Sequence, residues 1–373
     1  MYTASEYVSP GHPDATADCI TSHLLDVYMA HDPKVRYAVE VLIKDHTVFL
    51  AGEVTSTWQP SNDEIGDIVR EAIRMVGYTS DYSLNWPNDT TLSAEKVVVI
   101  SHIGKQSPDI AQGVDREGWG DQGCIMGMAT KQGEFGYLPQ DVYLSHAIGN
   151  NLYAAALYGD IPIGLDIKVL VSLADSEVRD GVKNIQQIVV AAPMLPENEE
   201  KAKNAIKELV ITLATASGAE IGEIIINGTG AYVVHSSIGD AGVVGRKLAV
   251  NFYGLNCPIG GGSPFGKDLT KADVTLNLYA RYLSLRTMFE TCLQHERVFT
   301  KITCCIGQRK ILVSQVDESN AIIDEWEEDY PISEIVHELG LDRKRDDLFF
   351  TMARAGLFSV VDKKATLQEI IDL

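Results

Sequence analysis

The chain has 373 residues, of which 45% are hydrophobic and 22% are charged, and its formal net charge is −21. This length exceeds one ordinary hydrophobic core and predicts two or three domains. The strong negative charge argues against nucleic acid or an anionic membrane as the main partner. Much of the charge falls in the segment 317–347, which we interpret as a solvated acidic surface.

The lack of targeting signals and the spacing of the cysteines limit the compartment in which the protein is expected. The N-terminal residues lack the basic stretch and apolar core of a signal peptide, and no apolar run approaches the ~18 residues that a membrane helix needs. The six cysteines form no CxxC pair, and no histidine cluster has zinc-site spacing. We therefore expect a cytoplasmic protein with reduced thiols.

Helical and strand patterns alternate through the first third of the chain. A helix is predicted just after Pro13, because apolar residues recur at helical spacing and proline suits a first helical turn. The elements predicted next are strands at 35–43 and 47–54 forming a hairpin, a helix at 65–76 that ends at Gly77, and a strand at 97–100 leading into the aperiodic segment 103–123.

The same pattern continues to the C-terminus. The predicted elements are strands at 165–173 and 186–192, a helix around Leu209, strands at 223–227 and 231–235, a helix at 273–289, strands at 299–305 and 310–316, and C-terminal helices. A strand pair followed by a helix thus occurs three times, which predicts an α+β fold of three similar domains with antiparallel sheets packed on helices. We place the domains at 1–110, 117–235 and 236–373.

The window from Arg246 to Asp273 is the strongest indication of function. It combines four cations, two carboxylates and a glycine run, which are Arg246, Lys247, Lys267, Lys271, Asp268, Asp273 and Gly260–Gly262. Cations pair with phosphate oxygens, glycines let backbone N–H groups approach, and carboxylates bind magnesium. The window therefore indicates a polyphosphate with Mg²⁺. Neither a Walker A loop nor a Rossmann fingerprint is present, which excludes a P-loop kinase and leaves NAD without support.

Two further groups of residues have both a functional and a structural interpretation. Gly11-His12-Pro13-Asp14 begins a helix, where free N–H groups attract anions, but the same residues could simply cap the helix. Glu40 and Glu53 interrupt apolar strands and would need a cation, a metal or a ligand amine as a partner. The alternative for each glutamate is an edge strand with the side chain in water.

Three more segments also have both a functional and a structural interpretation. The segment 103–123 is typical of a lid or binding loop, or of a mobile connector. Asp166 and Lys168 share one face of a predicted strand, where they could contact a base or a ribose, although a plain ion pair is commoner. Gly239-Asp240 leads to Arg246 and could be a turn before a cationic helix start.

Taken together and in order, these segments resemble the methionine adenosyltransferase (S-adenosylmethionine synthetase) family over nearly the full length of the chain. The motifs that carry the resemblance are S-E-x-V-S-x-GHPD at 5–14, GE at 52–53, GKQSPDI-x-QGVD at 104–115, G-x-GDQG at 118–123, D-x-K at 166–168, GD-x-G-x-x-GRK at 239–247 and GGG-S-x-x-GKD-x-x-K-x-D at 260–273. The resemblance implies three domains around a pseudo-threefold axis. It also implies a homodimer built on flat sheet faces, often paired into a homotetramer, with active sites shared between subunits.

The resemblance also implies roles for individual residues. Those implied to be catalytic are His12, Lys168, Arg246, Lys267 and Lys271, with His12 at the breaking C5′–O bond. Those implied to bind ATP are His12, Asp166, Lys168, Tyr232, Asp240, Arg246, Lys247, Ser263 and Lys267. Methionine would contact Glu53, Gln106, Asp240 and Lys271, while Asp14 and Asp273 would bind Mg²⁺ and Glu40 would hold K⁺.

The implied reaction is a displacement at C5′ of ATP by the sulfur of L-methionine, after which the released triphosphate is cleaved to pyrophosphate and phosphate. A thioether is already nucleophilic and needs no general base. The growing negative charge of the leaving triphosphate must be stabilised, which cations and a metal ion do electrostatically.

The chain departs from the family pattern at several positions. Ala15 and Ala231 stand where the family has a lysine and an arginine, Ser263 begins S-P-F where the family has A-F-S, and the central domain is short between 130 and 165. The two alanines are either simple losses of a cation or signs of a repacked site. Alternative functions are a triphosphate or ATP hydrolase and a non-catalytic nucleotide-binding subunit on the same fold.

Overall fold

The computed structural model describes residues 3–105, 118–179, 181–230, 232–342 and 346–362. The strands in chain order are β1 (Thr3–Val8), β2 (Arg36–Lys44), β3 (Thr47–Thr55), β4 (Val98–Gly104), β5 (Gly123–Thr130), β6 (Lys168–Arg179), β7 (Val182–Ala191), β8 (Ile221–Ile226), β9 (Gly242–Val243), β10 (Arg297–Cys304), β11 (Lys310–Asp317) and β12 (Ile322–Asp329). Gln106, with its predicted role, Ala231, where the chain departs from the family pattern, and residues 106–117 of the segment 103–123 lie outside the described residues.

The helices differ widely in length. In chain order they are α1 (Pro13–His31), α2 (Asn62–Val76), α3 (Ser80–Leu84), α4 (Gln140–Tyr158), α5 (Glu199–Ala216), α6 (Ser236–Gly239), α7 (Leu248–Asn251), α8 (Ala272–Glu290), α9 (Ile332–Glu338) and α10 (Leu348–Ala355), with 3₁₀ turns at Ala94–Lys96, Gly133–Phe135, Pro196–Asn198 and Leu357–Val360. No described helix is both long enough and apolar enough to cross a membrane.

The strands form three four-stranded sheets with helices packed on them, as the α+β prediction requires. Their orders are β4-β3-β2-β9, β1-β6-β7-β8 and β12-β11-β10-β5, so each sheet takes one strand from a distant part of the chain. The sheets are antiparallel-rich rather than purely antiparallel, because β3 pairs with β4, and β7 with β8, in parallel. The domain boundaries stay a prediction. Strands from different predicted domains share sheets, so the sheets do not mark where one domain ends and the next begins.

Most predicted elements are present, and one is wrong. The hairpin of β2 and β3 and the helix α2 are confirmed, and α2 ends at Gly77 in the left-handed conformation. The strand predicted at 231–235 is absent from described residues 232–235, which run irregularly into α6. There the His235 N–H donates to the Thr90 carbonyl, and the Met194 N–H donates to the Tyr232 carbonyl. These two hydrogen bonds go to different segments, so they do not form the continuous ladder of a β-strand.

The start of α1 is held against the residues that precede β6. Ser9 accepts the N–H of Ile167 at 2.8 Å through its hydroxyl, and its own N–H donates to the Ile167 carbonyl at 2.9 Å. A Cβ atom on Gly11 would lie 2.3 Å from the Leu165 carbonyl oxygen, so a side chain there would force the two segments apart. This contact joins the backbone just before His12 to the backbone just before Asp166, and the charge of Lys168 acts on His12.

Candidate active site

His12 caps the start of α1. Its Nδ1 accepts the N–H of Asp14 at 3.2 Å, so the neutral ring carries its hydrogen on Nε2. Burial lowers the pKa of His12 to about 4, and the positive charge of Lys247 acts in the same direction. At neutral pH His12 is therefore an uncharged hydrogen-bond donor.

Asp14 is almost fully buried and faces the cationic window. It forms an ion pair with Lys247, accepts the Val243 N–H at 2.9 Å, and lies 3.6 Å from Nε of Arg246. Burial opposes ionisation of Asp14, but the hydrogen bonds from Lys247 and Val243 outweigh it and hold its pKa below the usual value. One turn further along α1, Asp18 accepts the Gly245 N–H at 2.8 Å, a role that sequence reasoning missed.

A second lysine–aspartate pair lies at the other end of the window. Lys267 Nζ is 2.5 Å from Asp273 Oδ2, and the Gly262 N–H donates to Asp273 Oδ1 at 2.7 Å. A Cβ atom on Gly261 would lie 2.8 Å from the same Oδ1 and would collide with it. The glycine run therefore allows the backbone to wrap closely around the carboxylate.

Lys271 is the cation with the fewest contacts in this window. Its ammonium lies 3.6 Å from Asp268, is largely buried and makes no hydrogen bond, while Asp268 accepts the Tyr37 N–H at 2.7 Å. A buried ammonium without an acceptor is costly unless a ligand supplies one. Lys271 is therefore available to an anionic group.

The two halves of the window meet at one glycine. Gly245 has φ +70°, and a Cβ atom on it would lie 2.6 Å from Cβ of Ser263. The turn that precedes Lys247 therefore touches the segment that precedes Lys267, so the two parts of the predicted cationic window are in contact.

Asp166 lies two residues before β6 rather than inside the predicted strand, and 5% of it is exposed. Its Oδ2 accepts the Ser236 N–H at 2.9 Å, whereas Oδ1 has no partner. The Tyr232 hydroxyl contacts its carbonyl at 3.4 Å. Burial raises the pKa of Asp166 to about 6, and the Ser236 N–H, the Tyr232 hydroxyl and the charge of Lys168 oppose the shift in that order. No ion pair joins Asp166 to Lys168 in the part of the chain described, so the plain ion-pair interpretation is wrong.

Glu40 and Glu53 project from the uncovered face of the first sheet, where Ala38 lies opposite Glu53. Both belong to central strands, so the edge-strand part of the alternative is wrong, but both side chains are exposed to water as that alternative expected. Burial raises the pKa of Glu40, and the charge of Lys267 opposes that shift. Asp240 is exposed at the end of α6, and its charge acts on both His12 and Asp166.

The carboxylates of the window do not form a metal cage by themselves. Within the described ranges, the residues whose ligand atoms converge closely enough for that are His295, Asp317 and Glu318, at the end of the third sheet where β10 begins and β11 ends. Asp14 and Asp273 instead offer hard oxygen ligands beside lysines. This donor set fits Mg²⁺, which usually takes one or two carboxylates and completes its shell with water and phosphate oxygens.

Three family models match successive parts of the chain. They describe the N-terminal, central and C-terminal domains of S-adenosylmethionine synthetase, and they match residues 1–108, 116–232 and 234–362. The chain belongs to the S-adenosylmethionine synthetase family.

Individual members of the family are similar at moderate identity. An S-adenosylmethionine synthase from Wolinella succinogenes is 36% identical over 292 residues, which cover 75% of this chain and 71% of the relative. S-adenosylmethionine synthase 2 from Rhodospirillum rubrum is 33% identical over 335 residues, covering 86% and 82%. A solved structure described as an unusual S-adenosylmethionine synthetase from Campylobacter jejuni has a TM-score of 0.86 and 25% identity, covering 100% of this chain and 99% of that one.

The position at which the family has a lysine is closed in this chain. Ala15 is 7% exposed and packs in a small apolar cluster with Val8 and Val250. A lysine there would have to displace this packing or bury its stem and charge. The structure therefore favours a repacked site over the simple loss of a cation.

Substitution of Ala15 by lysine should lower the free energy of unfolding by roughly 1–3 kcal/mol, because an apolar contact is replaced by a polar group with little room. Turnover should not increase. Urea unfolding and initial rates measure the two effects. Ala216→Lys, at an exposed alanine of α5, is the matched control and should be close to neutral. A stable and faster Ala15→Lys variant would instead indicate a simple loss.

Asp166→Asn should stabilise the protein in a pH-dependent way. The folded pKa is about 6, above the ordinary value of about 3.9, so the folded state binds more protons between these values and the carboxylate destabilises it as the pH rises. The variant should gain up to ~3 kcal/mol at pH 8 and about half that at pH 5. Urea unfolding at both pH values tests this against Asp160→Asn, an exposed control. A less stable Asp166→Asn variant at pH 8 would contradict the assignment.

Proposed function

We propose that the chain transfers the adenosyl group of ATP to the sulfur of L-methionine, giving S-adenosylmethionine, pyrophosphate and phosphate. The observation that carries the proposal is the convergence of a neutral His12, two lysine–aspartate pairs and the unpartnered Oδ1 of Asp166. A triphosphate, a metal ion and a nucleoside each find suitable partners in this set. Membership of the family supports the same reaction.

The lysine–aspartate pairs suggest how a metal–polyphosphate complex is accommodated. Without ligands, Asp14 and Asp273 are each neutralised by a lysine. With ligands, we propose that Lys247 and Lys267 turn to phosphate oxygens while the carboxylates bind Mg²⁺. Charge stays balanced before and after the exchange, so neither state leaves an isolated buried charge. The Mg²⁺ would supply neutralisation of phosphate charge, and Glu40 would hold K⁺.

The protein's own contribution to the displacement is positioning and electrostatics. His12 donates from Nε2 to the oxygen that leaves C5′, and its low pKa keeps it uncharged while it does so. Lys168, Arg246, Lys267 and Lys271 place positive charge around the departing triphosphate. Because the nucleophile is a thioether, the site needs no base to activate it, and stabilisation of the leaving group accounts for most of the catalysis.

Substrate contacts follow from the remaining predicted residues. Asp166, Tyr232 and Ser263 would bind ATP together with the cations of the window. Methionine would meet Asp240, Lys271 and Glu53, and the buried ammonium of Lys271, which lacks an acceptor, suits an anionic group. Gln106 keeps its predicted methionine role as a proposal from the sequence alone.

We also propose that two copies of the chain pair through the uncovered face of the first sheet. Leu42, Val98 and Ile100 on this face are 45%, 58% and 42% exposed, which is unusual for neighbouring apolar side chains on a flat sheet. Glu40 and Glu53 lie on the same face, so pairing would bring a partner next to the proposed ligand sites. A dimer of such dimers would give the homotetramer.

All six cysteines are free thiols, and we propose the cytoplasm as the compartment.

Incubation with ATP, L-methionine, Mg²⁺ and K⁺ should yield S-adenosylmethionine, with pyrophosphate and phosphate in equal amounts. Lys267→Ala should lower turnover by about 10²–10³, because one charge that stabilises the leaving group is lost. Lys207→Ala on the exposed surface of α5 is the control and should leave turnover unchanged. Mass spectrometry of the sulfonium product and a phosphate-release assay measure product formation and turnover in the wild type and in both variants. Phosphate release that does not need methionine would indicate the hydrolase instead.

Ile100→Lys should convert the dimer to monomers, because a charge is placed on the flat apolar face where two copies would meet. Light scattering on the eluting protein measures the mass. Ile211→Lys is a matched control, since Ile211 is 39% exposed but lies on α5, away from this face. A wild-type chain that elutes as a monomer would overturn the pairing proposal.

A further inference from the structure

A group of aromatic side chains packs behind the candidate active site. It consists of Tyr78, Tyr82, Trp86 and His235, which we term the aromatic cluster. Its ring centroids are 5.4 Å apart for Tyr78 and Tyr82, 6.1 Å for Tyr82 and Trp86, and 4.4 Å for Trp86 and His235. The first three follow α2 in the chain, while His235 precedes α6. None of them has a role in the function proposed above.

The Tyr82 hydroxyl connects two separate segments. Its oxygen accepts the Leu165 N–H at 3.1 Å and lies 2.8 Å from Nε2 of His235. The Nδ1 atom of His235 is 2.8 Å from the Val233 carbonyl and must carry the ring hydrogen, because a carbonyl can only accept. Nε2 therefore accepts the Tyr82 O–H. Burial lowers the pKa of His235 to about 4, which keeps this neutral arrangement at physiological pH.

Both segments that Tyr82 connects lead directly to Asp166. Leu165 precedes it in the chain, and His235 precedes Ser236, whose N–H donates to Asp166 Oδ2 at 2.9 Å. The position of Asp166 is thus fixed at two points, at its backbone through Leu165 and at its carboxylate through Ser236. What remains free is Oδ1, which is buried and has no partner, so it can accept a hydrogen bond from a ligand.

The same cluster supports the backbone next to His12. The Tyr78 hydroxyl donates to the Gly11 carbonyl at 2.5 Å, and Gly11 lies in close contact with the Leu165 backbone. The aromatic cluster therefore fixes the residues that precede His12 and Asp166 relative to each other. These two residues would contact opposite ends of the nucleoside part of ATP, namely its reacting C5′ and its hydrogen-bonding groups.

We propose that Tyr82 and His235 are positioning residues for the nucleoside half of ATP. Through Leu165 and Ser236 they aim Asp166 Oδ1 at a hydrogen-bond donor of the nucleoside, a base amine or a ribose hydroxyl. They do not act on the triphosphate, which the cations of the window bind. This inference rests on the proposed function in taking ATP as the nucleotide.

Tyr82→Phe tests the inference, because it removes one hydroxyl and keeps the ring. The KM for ATP should rise about tenfold, since two buried hydrogen bonds that orient Asp166 are lost. The kcat at saturating ATP and the KM for methionine should change by less than about twofold. In calorimetry with Mg²⁺, the affinity for ATP should fall by the same factor and that for tripolyphosphate should not change.

A pair of variants at His235 gives an independent arm. His235→Gln keeps an acceptor for the Tyr82 hydroxyl and should retain the ATP affinity to within about threefold, whereas His235→Leu should behave like Tyr82→Phe. Equal losses in the glutamine and leucine variants would overturn the inference. Thermal unfolding shows whether Tyr82→Phe is folded. If it is not, the two His235 variants still test the inference.

Tyr279→Phe is the matched control. Tyr279 is a buried tyrosine whose hydroxyl donates to the Glu328 carboxylate at 3.2 Å on the third sheet. The control should leave the ATP affinity unchanged. Equal effects of the two tyrosine variants, or parallel losses of ATP and tripolyphosphate binding, would overturn the inference. A wild-type protein that binds ATP but forms no sulfonium product would contradict the proposed function alone, and ATP binding would still test the positioning role.

Discussion

The arrangement of the site depends on the main-chain contact between residues 9–11 and 165–167. Ser9 exchanges hydrogen bonds with Ile167, and Gly11 approaches Leu165 so closely that a Cβ atom would not fit. This contact joins the start of α1 to the start of β6, so the backbone just before an N-cap histidine adjoins the backbone just before a buried aspartate. β9 also packs on α1, where a Cβ atom on Gly242 would lie 2.1 Å from the Pro13 carbonyl oxygen. The geometry of the candidate site is set by backbone packing, and the side chains follow it.

Periodicity and short motifs predicted much of this fold and most of the candidate site. α2 was recognisable because its apolar residues line one face and Gly77 ends it. α4 was missed because it is buried on more than one side, with Asp141 and Ser145 buried among its apolar residues. β12 was hidden by its acidic residues. The exchange of β1, β5 and β9 between sheets could not be predicted, since it rests on contacts between residues far apart in the chain.

Motifs identified the charged residues of the site but not their surroundings. Asp14, Asp273 and the lysines stood out because charge and glycine occur together there. Ala15 was visible as a departure, yet its meaning depends on Val8 and Val250, which lie far apart in the sequence and which only packing brings together. Tyr82 and His235 gave no signal, because a buried aromatic residue in a chain is usually part of a core. Supporting residues of this kind are found from hydrogen bonds rather than from patterns.

The two lysine–aspartate pairs have a thermodynamic consequence. A metal ion that took Asp14 or Asp273 would release Lys247 or Lys267 from its carboxylate, and a phosphate that took the lysine would release the carboxylate. Each ligand would thus lower the free-energy cost of binding the other, and this coupling would be reciprocal. Nucleotide and metal would occupy the site as one cooperative unit, and neither alone would bind as tightly as its contacts suggest.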